Sequence, residues 1–171
     1  MRELLDLTEV SSEDLPEIYC DLDEVLVDFM RGADAAVGGS FIKTDKDERW
    51  SKVNQTKGFW ANLGWKPNAK RLHDFIIRYN PHVLSAYPDR DPNAKNGKMK
   101  WLKKNTGFKR AKIHLVKRAQ KKDYATTDDK PNVLIDDYIK NIREWEAKGG
   151  IGILHTDVGK TISELKRLGF K

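Results

Sequence analysis

Five short apolar runs stand out along a mostly polar chain. They lie at residues 18–20, 83–85, 113–116, 133–135 and 151–154, and runs of this length and composition are typical of buried strands. Helix-length segments separate them and carry apolar residues at three- and four-residue spacing: Leu72, Phe75, Ile76 and Tyr79; Met99, Trp101 and Leu102; Ile139, Ile142 and Trp145; Ile162, Leu165 and Leu168. Strands alternating with helices predict a doubly wound, Rossmann-like α/β fold with a parallel sheet of about five strands.

The stretch 27–66 breaks this alternation. It contains no strand-like run, and it concentrates the aromatic residues Trp50, Phe59, Trp60 and Trp65. Because a bare loop of this length is uncommon in a compact domain, we predict a small helical insertion after the first strand, able to cover a site there. Most of its aromatic side chains are expected to form the core of the insertion itself.

The length of 171 residues predicts one α/β domain over 17–171, preceded by a polar leader at 1–16. The sequence has no apolar run near the ~20 residues that a membrane span needs, and acidic residues interrupt the leucines of its first segment, unlike a secretory signal. Cys20 is the single cysteine, which excludes an internal disulfide and agrees with a reducing compartment. We therefore expect a cytoplasmic protein with no membrane partner, in which Cys20 is a small buried apolar residue.

Positive charge is unevenly distributed. The net charge is +6, and the stretch 95–122 contains twelve Lys or Arg residues. Such a stretch can contact nucleic acid, attract phosphorylated small molecules, or simply form a solvated face. Charge alone therefore leaves the partner open.

Two acidic pairs follow predicted strands directly. Asp21 and Asp23 come after the first strand, and Asp136 and Asp137 end the fourth. In a parallel sheet both pairs lie at the same edge, where ligands of such folds bind. Carboxylates that converge there repel one another unless a cation lies among them, and an ion that prefers oxygen ligands, such as Mg²⁺, suits them. The alternative is two unrelated pairs of solvated turn residues.

The second strand ends at Ser85, whose hydroxyl and following backbone N–H groups could bind phosphate oxygens. Several lysines follow the third strand, and one of them could neutralise both a phosphate and a nucleophilic carboxylate. Together with the acids, these residues indicate phosphoryl transfer.

The order of these residues resembles the four motifs of the haloacid dehalogenase (HAD) superfamily, in which a HAD-type sheet carries a cap after strand one. The first motif spans 21–29 and the last spans 133–137. Within the superfamily the chain is most similar to the 5′(3′)-deoxyribonucleotidases and their bacterial and phage relatives, through the stretches at 57–67, 98–102 (Lys-x-x-Trp) and 121–125.

The resemblance implies roles for the acids. Asp21 would be the nucleophile and form an aspartyl-phosphate, while Asp23 would protonate the leaving alcohol and then activate water. The side chains of Asp21 and Asp137 and the backbone carbonyl of Asp23 would bind Mg²⁺, with Asp136 acting through a coordinated water.

The resemblance also implies how phosphate is bound. Ser85 and the amide of Ala86 would hold it, and Lys121 is our choice for the motif-three lysine because it stands three residues before a Tyr-Ala pair. Lys122 and Lys117 remain alternatives.

Two departures from the family pattern concern residues beside these motifs. Glu24 stands where relatives usually have Gly or another small residue, and Ser85-Ala-Tyr-Pro88 replaces the common Thr-Ser-Pro, which removes one phosphate-binding hydroxyl.

The implied substrate is a small phosphomonoester, preferably a deoxynucleoside monophosphate, with Phe29, Phe59 or Trp60 facing the base. Other phosphorylated metabolites or a phosphorylated nucleic-acid end would suit the same groups, so nucleic acid is not required. The sequence makes no prediction of oligomeric state.

Two other classes of protein are compatible with parts of the pattern. A non-catalytic nucleic-acid-binding protein would explain the basic stretch and the five tryptophans, but four acids beside the phosphate site would repel nucleic acid. A response-regulator-like phosphoacceptor also uses acids, a Ser or Thr and a Lys, but with its acid pair and phosphorylated Asp in the opposite order. The hydrolase interpretation accounts for more of these residues.

Overall fold

A computed structural model describes residues 13–171. The predicted leader at 1–16 therefore falls mostly outside the described residues. Among the residues that the structure describes, none of the helices combines the length and the apolar character needed to cross a membrane.

The structure confirms the doubly wound α/β fold. The strands are β1 (Ile18–Cys20), β2 (His82–Ala86), β3 (Ile113–Val116), β4 (Thr126–Thr127), β5 (Lys130–Pro131), β6 (Val133–Asp136) and β7 (Ile151–Leu154). Five of them are parallel and form the main sheet in the order β3-β2-β1-β6-β7. The two short antiparallel strands β4 and β5 form a hairpin that the sequence pattern did not predict.

Six α-helices accompany these strands within residues 13–171. They are α1 (Phe29–Val37), α2 (Lys46–Gln55), α3 (Ala69–Ile77), α4 (Ala94–Asn105), α5 (Ile139–Ala147) and α6 (Val158–Arg167). Two 3₁₀ helices, Arg110–Lys112 and Arg118–Tyr124, flank β3. The helices α3 and α6 end before the last apolar residue of their predicted pattern, so Tyr79 and Leu168 follow them.

The core lies on both faces of the sheet. In β1 the side chains alternate between the faces: Ile18 and Cys20 belong to one buried cluster and Tyr19 to another. The helices α3, α4 and α6 pack in the first cluster, and α5 packs in the second. Cys20 is fully buried, as expected.

The segment 27–66, predicted as an insertion, contains α1 and α2 and has its own buried cluster around Phe41, Val53 and Phe59. Its two ends are adjacent, because Val27 pairs with Trp65 and the amide of Lys66 donates to the carbonyl of Leu26 at 2.8 Å. The segment thus leaves and re-enters the sheet domain at one place, close to the carboxyl end of β1.

Candidate active site

The candidate site lies where β1 and β6 end side by side. The two strands are paired in parallel, and the amide of Asp21 donates to the carbonyl of Ile135 at 2.9 Å. The chain adds β2 and β3 on one side of β1 and later adds β6 and β7 on the other. The strand order therefore reverses between β1 and β6, which is where α/β folds bind ligands.

Three carboxylates meet at this point. Ligand oxygens of Asp21, Asp136 and Asp137 lie within 4.8 Å of one another, and Asp21 and Asp136 are buried. Pairing between the strands thus brings Asp21 beside the pair Asp136 and Asp137, which lies more than 110 residues later in the sequence.

Protein donors already satisfy the carboxylate of Asp136. Its Oδ1 accepts from the backbone N–H of Tyr138 at 2.9 Å, and its Oδ2 accepts from Asn141 Nδ2 at 3.0 Å and Lys121 Nζ at 2.8 Å. Sequence reasoning missed Asn141, although a polar residue on the buried side of the helix after an acid pair is a usable signal. Asp136 is therefore fixed in orientation, and Asp21 and Asp137 are better placed to bind an ion directly.

Lys121 lies between the acids. Its Nζ is 3.0 Å from Asp21 Oδ1 and 2.8 Å from Asp136 Oδ2, and the side chain is 3% exposed. Of the two alternatives, Lys117 instead pairs with Asp89 and lies over the ring of Tyr87. Lys122 lies near Glu144, whose pKa is lowered by its hydrogen bond from Arg118 and also by the charge of Lys122. Geometry therefore brings Lys121 into the acid cluster rather than Lys117 or Lys122.

The electrostatics of the cluster fit a divalent cation. Burial, with the neighbouring charges of Asp21 and Asp136, raises the pKa of Asp137 to about 7, and burial together with the charge of Asp21 also raises the pKa of Asp136. Burial alone would lower the pKa of Lys121, but the charges of Asp21 and Asp136 raise it well above its ordinary value. Even beside this ammonium the acids repel one another, and an all-oxygen donor set suits Mg²⁺.

A second lysine, Lys98, reaches the site from α4. Its Nζ donates to Asp23 Oδ2 at 2.5 Å and to Ser85 Oγ at 3.0 Å. Lys98 was not among the predicted site residues, although it begins the Lys-x-x-Trp stretch at 98–102. The available signal was its position, since Lys98 occupies the same buried face of α4 as Trp101 and Leu102, where a lysine needs a partner.

Ser85 and Ala86 end β2 beside these groups. Ser85 is fully buried, and its hydroxyl makes a long contact of 3.5 Å with the carbonyl of Ala86. Asp23 is partly exposed, but its Oδ1 is buried without a hydrogen-bond partner within residues 13–171. The described part of the chain thus brings Asp21, Asp23, Ser85 and Lys121 to one edge of the sheet.

The three aromatic residues proposed to face a base pack against one another. Phe29 stacks on Trp60 at 5.4 Å between ring centroids, and Phe59 contacts both rings edge-on. Phe59 and Trp60 are buried, and Trp60 Nε1 donates to Asp91 Oδ2 at 2.6 Å. Their main contacts therefore form the core of segment 27–66, and only Phe29 keeps partial exposure. A direct contact with a base stays a prediction.

Comparisons with known proteins support the fold. No family model and no curated protein matches the sequence. The structure is similar to that of a hydrolase from Streptococcus pneumoniae TIGR4, with a TM-score of 0.55 and 12% identity over 89% of this chain and 98% of that chain. A hydrolase from Pseudomonas syringae aligns with a TM-score of 0.48 and 16% identity over 90% of each chain. At 12% identity, the similarity to the pneumococcal protein shows a shared fold alone.

Proposed function

We propose that this protein is a Mg²⁺-dependent phosphomonoester hydrolase that acts through an aspartyl-phosphate on Asp21, with a deoxynucleoside monophosphate as the preferred substrate. The observation that carries the proposal is the position of Lys121, whose buried ammonium bridges Asp21 on β1 and Asp136 on β6. An anionic nucleophile held by a lysine at a strand end is the arrangement that phosphoryl transfer needs.

In the first step, an Asp21 carboxylate oxygen attacks phosphorus in line with the leaving oxygen. The bond from phosphorus to the leaving oxygen breaks, and Asp23 gives that oxygen a proton, so an alcohol departs. Lys121, 3.0 Å from Asp21 Oδ1, stabilises negative charge between the nucleophile and the phosphoryl oxygens. The hydroxyl of Ser85 and the amide of Ala86 bind the other oxygens.

In the second step, Asp23 removes a proton from water, whose oxygen attacks phosphorus. The bond between phosphorus and Asp21 breaks, which releases inorganic phosphate, restores the Asp21 carboxylate and leaves Asp23 protonated for the next turnover. Asp21, Asp137 and the backbone carbonyl of Asp23 would hold Mg²⁺, with Asp136 acting through a coordinated water. A bound Mg²⁺ would neutralise phosphoryl charge and orient the substrate.

Phosphorylated substrates suit the charge of the molecule, which is +6. The pneumococcal protein of the same fold is a hydrolase, which agrees with the proposal. Phe29 is the aromatic residue best placed to approach a base, since part of its side chain stays accessible.

The proposal is tested by measuring phosphate release from 4-nitrophenyl phosphate with and without Mg²⁺. We expect turnover that chelation abolishes and that Asp21→Asn lowers by about 10³-fold or more, because the nucleophile is lost. Asp128→Asn is the matched control: it removes the same charge from an exposed residue with φ +50°, which Asn also adopts readily, and should leave the rate unchanged.

The same assay shows which of the candidate lysines acts in catalysis, and it distinguishes a hydrolase from a nucleic-acid-binding protein. Lys121→Met should abolish turnover, whereas Lys122→Met should retain it. Salt-sensitive DNA binding by a protein that releases no phosphate under any metal condition would contradict the proposal and favour a binding protein. A panel of nucleotides and sugar phosphates then tests the preference for deoxynucleotides.

A further inference from the structure

Lys98 is buried, and both of its hydrogen bonds are to residues of the candidate site. Its side chain is 2% exposed, with Nζ 2.5 Å from Asp23 Oδ2 and 3.0 Å from Ser85 Oγ. A buried ion pair often contributes little net stability compared with apolar packing. A role in the chemistry of the site therefore explains the position of Lys98 better than a role in folding.

The contact with Ser85 determines which way its hydroxyl can donate. An ammonium has only donor hydrogens, so Ser85 Oγ must accept from Lys98. The hydroxyl proton must then point away from Nζ, and among residues 13–171 its one acceptor is the Ala86 carbonyl, at a long 3.5 Å. Lys98 therefore leaves Ser85 free to donate to a phosphoryl oxygen.

The contact with Asp23 distinguishes its two oxygens. Lys98 holds Oδ2, whereas Oδ1 is buried and has no hydrogen-bond partner among residues 13–171. Because Oδ2 accepts from an ammonium, the proton that Asp23 gives to the leaving group must be carried by Oδ1. Fixing one oxygen also fixes the plane of the carboxylate and so the direction in which the other one points.

Segment 27–66 holds the lysine in place. The ring of Trp60 lies 5.1 Å from Lys98 Nζ, a cation–π distance. Trp60 can approach because the preceding helix residue is Gly97: a Cβ there would lie 2.5 Å from Trp60 Cβ. Trp60 is itself anchored by its hydrogen bond to Asp91.

We propose that Lys98 is a positioning residue that orients Asp23 for proton transfer and Ser85 for phosphate binding, and that Trp60 holds it there. The inference rests on the proposed phosphatase function and adds a residue to it. Its consequence is specific: Lys98 matters most for substrates whose leaving group needs a proton.

The test is a series of aryl phosphates whose leaving phenols differ in acidity, from 4-nitrophenyl to phenyl to 4-methoxyphenyl phosphate. The acidic 4-nitrophenol departs with little help, whereas the other phenols depend on the acid. We expect Lys98→Met to lower kcat/KM for phenyl phosphate at least about tenfold more than for 4-nitrophenyl phosphate. It should also raise the inhibition constant of inorganic phosphate, because Ser85 loses its orientation.

Lys100→Met is the matched control, since Lys100 is exposed on the same helix; it should leave both quantities unchanged. Urea unfolding shows whether Lys98→Met is folded, and if it is not, Lys98→Gln provides an uncharged donor for the same comparison. An equal loss of kcat/KM along the series would overturn the positioning role while leaving the phosphatase intact. A parent protein inactive on every member would overturn the proposed function, and this inference with it.

Discussion

Glu24 adopts a left-handed backbone conformation, with φ +63°, directly after the acidic motif. This is a costly conformation for a residue with a Cβ, and one that Gly adopts without that cost. Two contacts offset the cost. Glu24 Oε1 accepts from the amide of Met30 in the first turn of α1 at 2.8 Å, and Oε2 pairs with Lys66 Nζ at 3.0 Å. Glu24 thus ties the start of segment 27–66 to its end.

We predict that two substitutions of Glu24 reverse the usual order of stability, in which a variant with Ala is more stable than one with Gly. Glu24→Ala loses both contacts and keeps the left-handed strain, whereas Glu24→Gly loses the contacts but relieves the strain. Urea unfolding should therefore show Glu24→Gly to be the more stable of the two variants by about 1 kcal/mol. If Glu24→Ala proves to be the more stable variant, the left-handed backbone at Glu24 costs little free energy.

At the scale of elements, the junction between α4 and segment 27–66 depends on one close approach. Trp60 packs against Gly97 in the second turn of α4, and a methyl group there would also lie 3.5 Å from the Trp60 Cα. The obstacle is the Cβ and backbone of Trp60, which cannot simply rotate away. Segment 27–66 and α4 must therefore separate to accept any side chain larger than hydrogen.

We accordingly predict that Gly97→Ala destabilises the protein by about 1–2 kcal/mol, because overpacking exceeds the ~1 kcal/mol that Ala gains over Gly in a helix. Gly159→Ala in α6 is the control, since its new methyl would meet only Asp157 Oδ1 at 3.3 Å. That variant should be neutral or slightly more stable. Thermal unfolding compares them, and equal stability of the two variants would contradict the close packing of Trp60.

At the scale of the whole molecule, the acid cluster links stability to pH and metal. The pKa of Asp137 in the folded protein is about 7, above its ordinary value of 3.8. The folded state therefore binds more protons than the unfolded state between these values, and the contribution of Asp137 to stability is lost as pH rises from about 4 to 7. A divalent cation needs the ionised acids, so its stabilising effect grows over the same interval.

We predict that, in chelator, Asp137→Asn raises the stability at pH 8 by about 1 kcal/mol, an amount discounted because the residue is exposed to solvent. The gain should disappear near pH 4. With Mg²⁺ at ~100 times its dissociation constant, the parent should gain about 2.7 kcal/mol at pH 8 and the variant much less. Thermal unfolding with and without Mg²⁺ measures both effects, and a parent midpoint insensitive to Mg²⁺ would argue against a metal centre.

Much of the architecture followed from local pattern. Short apolar runs between helical periods predicted the parallel sheet, because a strand buried on both faces must be apolar throughout. The acids after β1 and at the end of β6 were predicted to meet, because parallel strands end at a common edge. The β4–β5 hairpin was missed, since its strands have two residues each and carry no apolar period.

Other features could be decided only by packing between distant segments. The sequence offered three lysines near the third strand, and the 3₁₀ helix Arg118–Tyr124 places Lys121 alone among the acids. The burial of Lys98 against Asp23 spans 75 residues. The rings of Phe29, Phe59 and Trp60 face one another because they belong to the separate buried cluster of segment 27–66. Periodicity and motif order depend on neighbours along the chain, so the sequence determined the strands and the meeting of the acids. Which lysine, amide or ring completes the site depends on the angles and distances at which elements pack, and only the tertiary structure decided those.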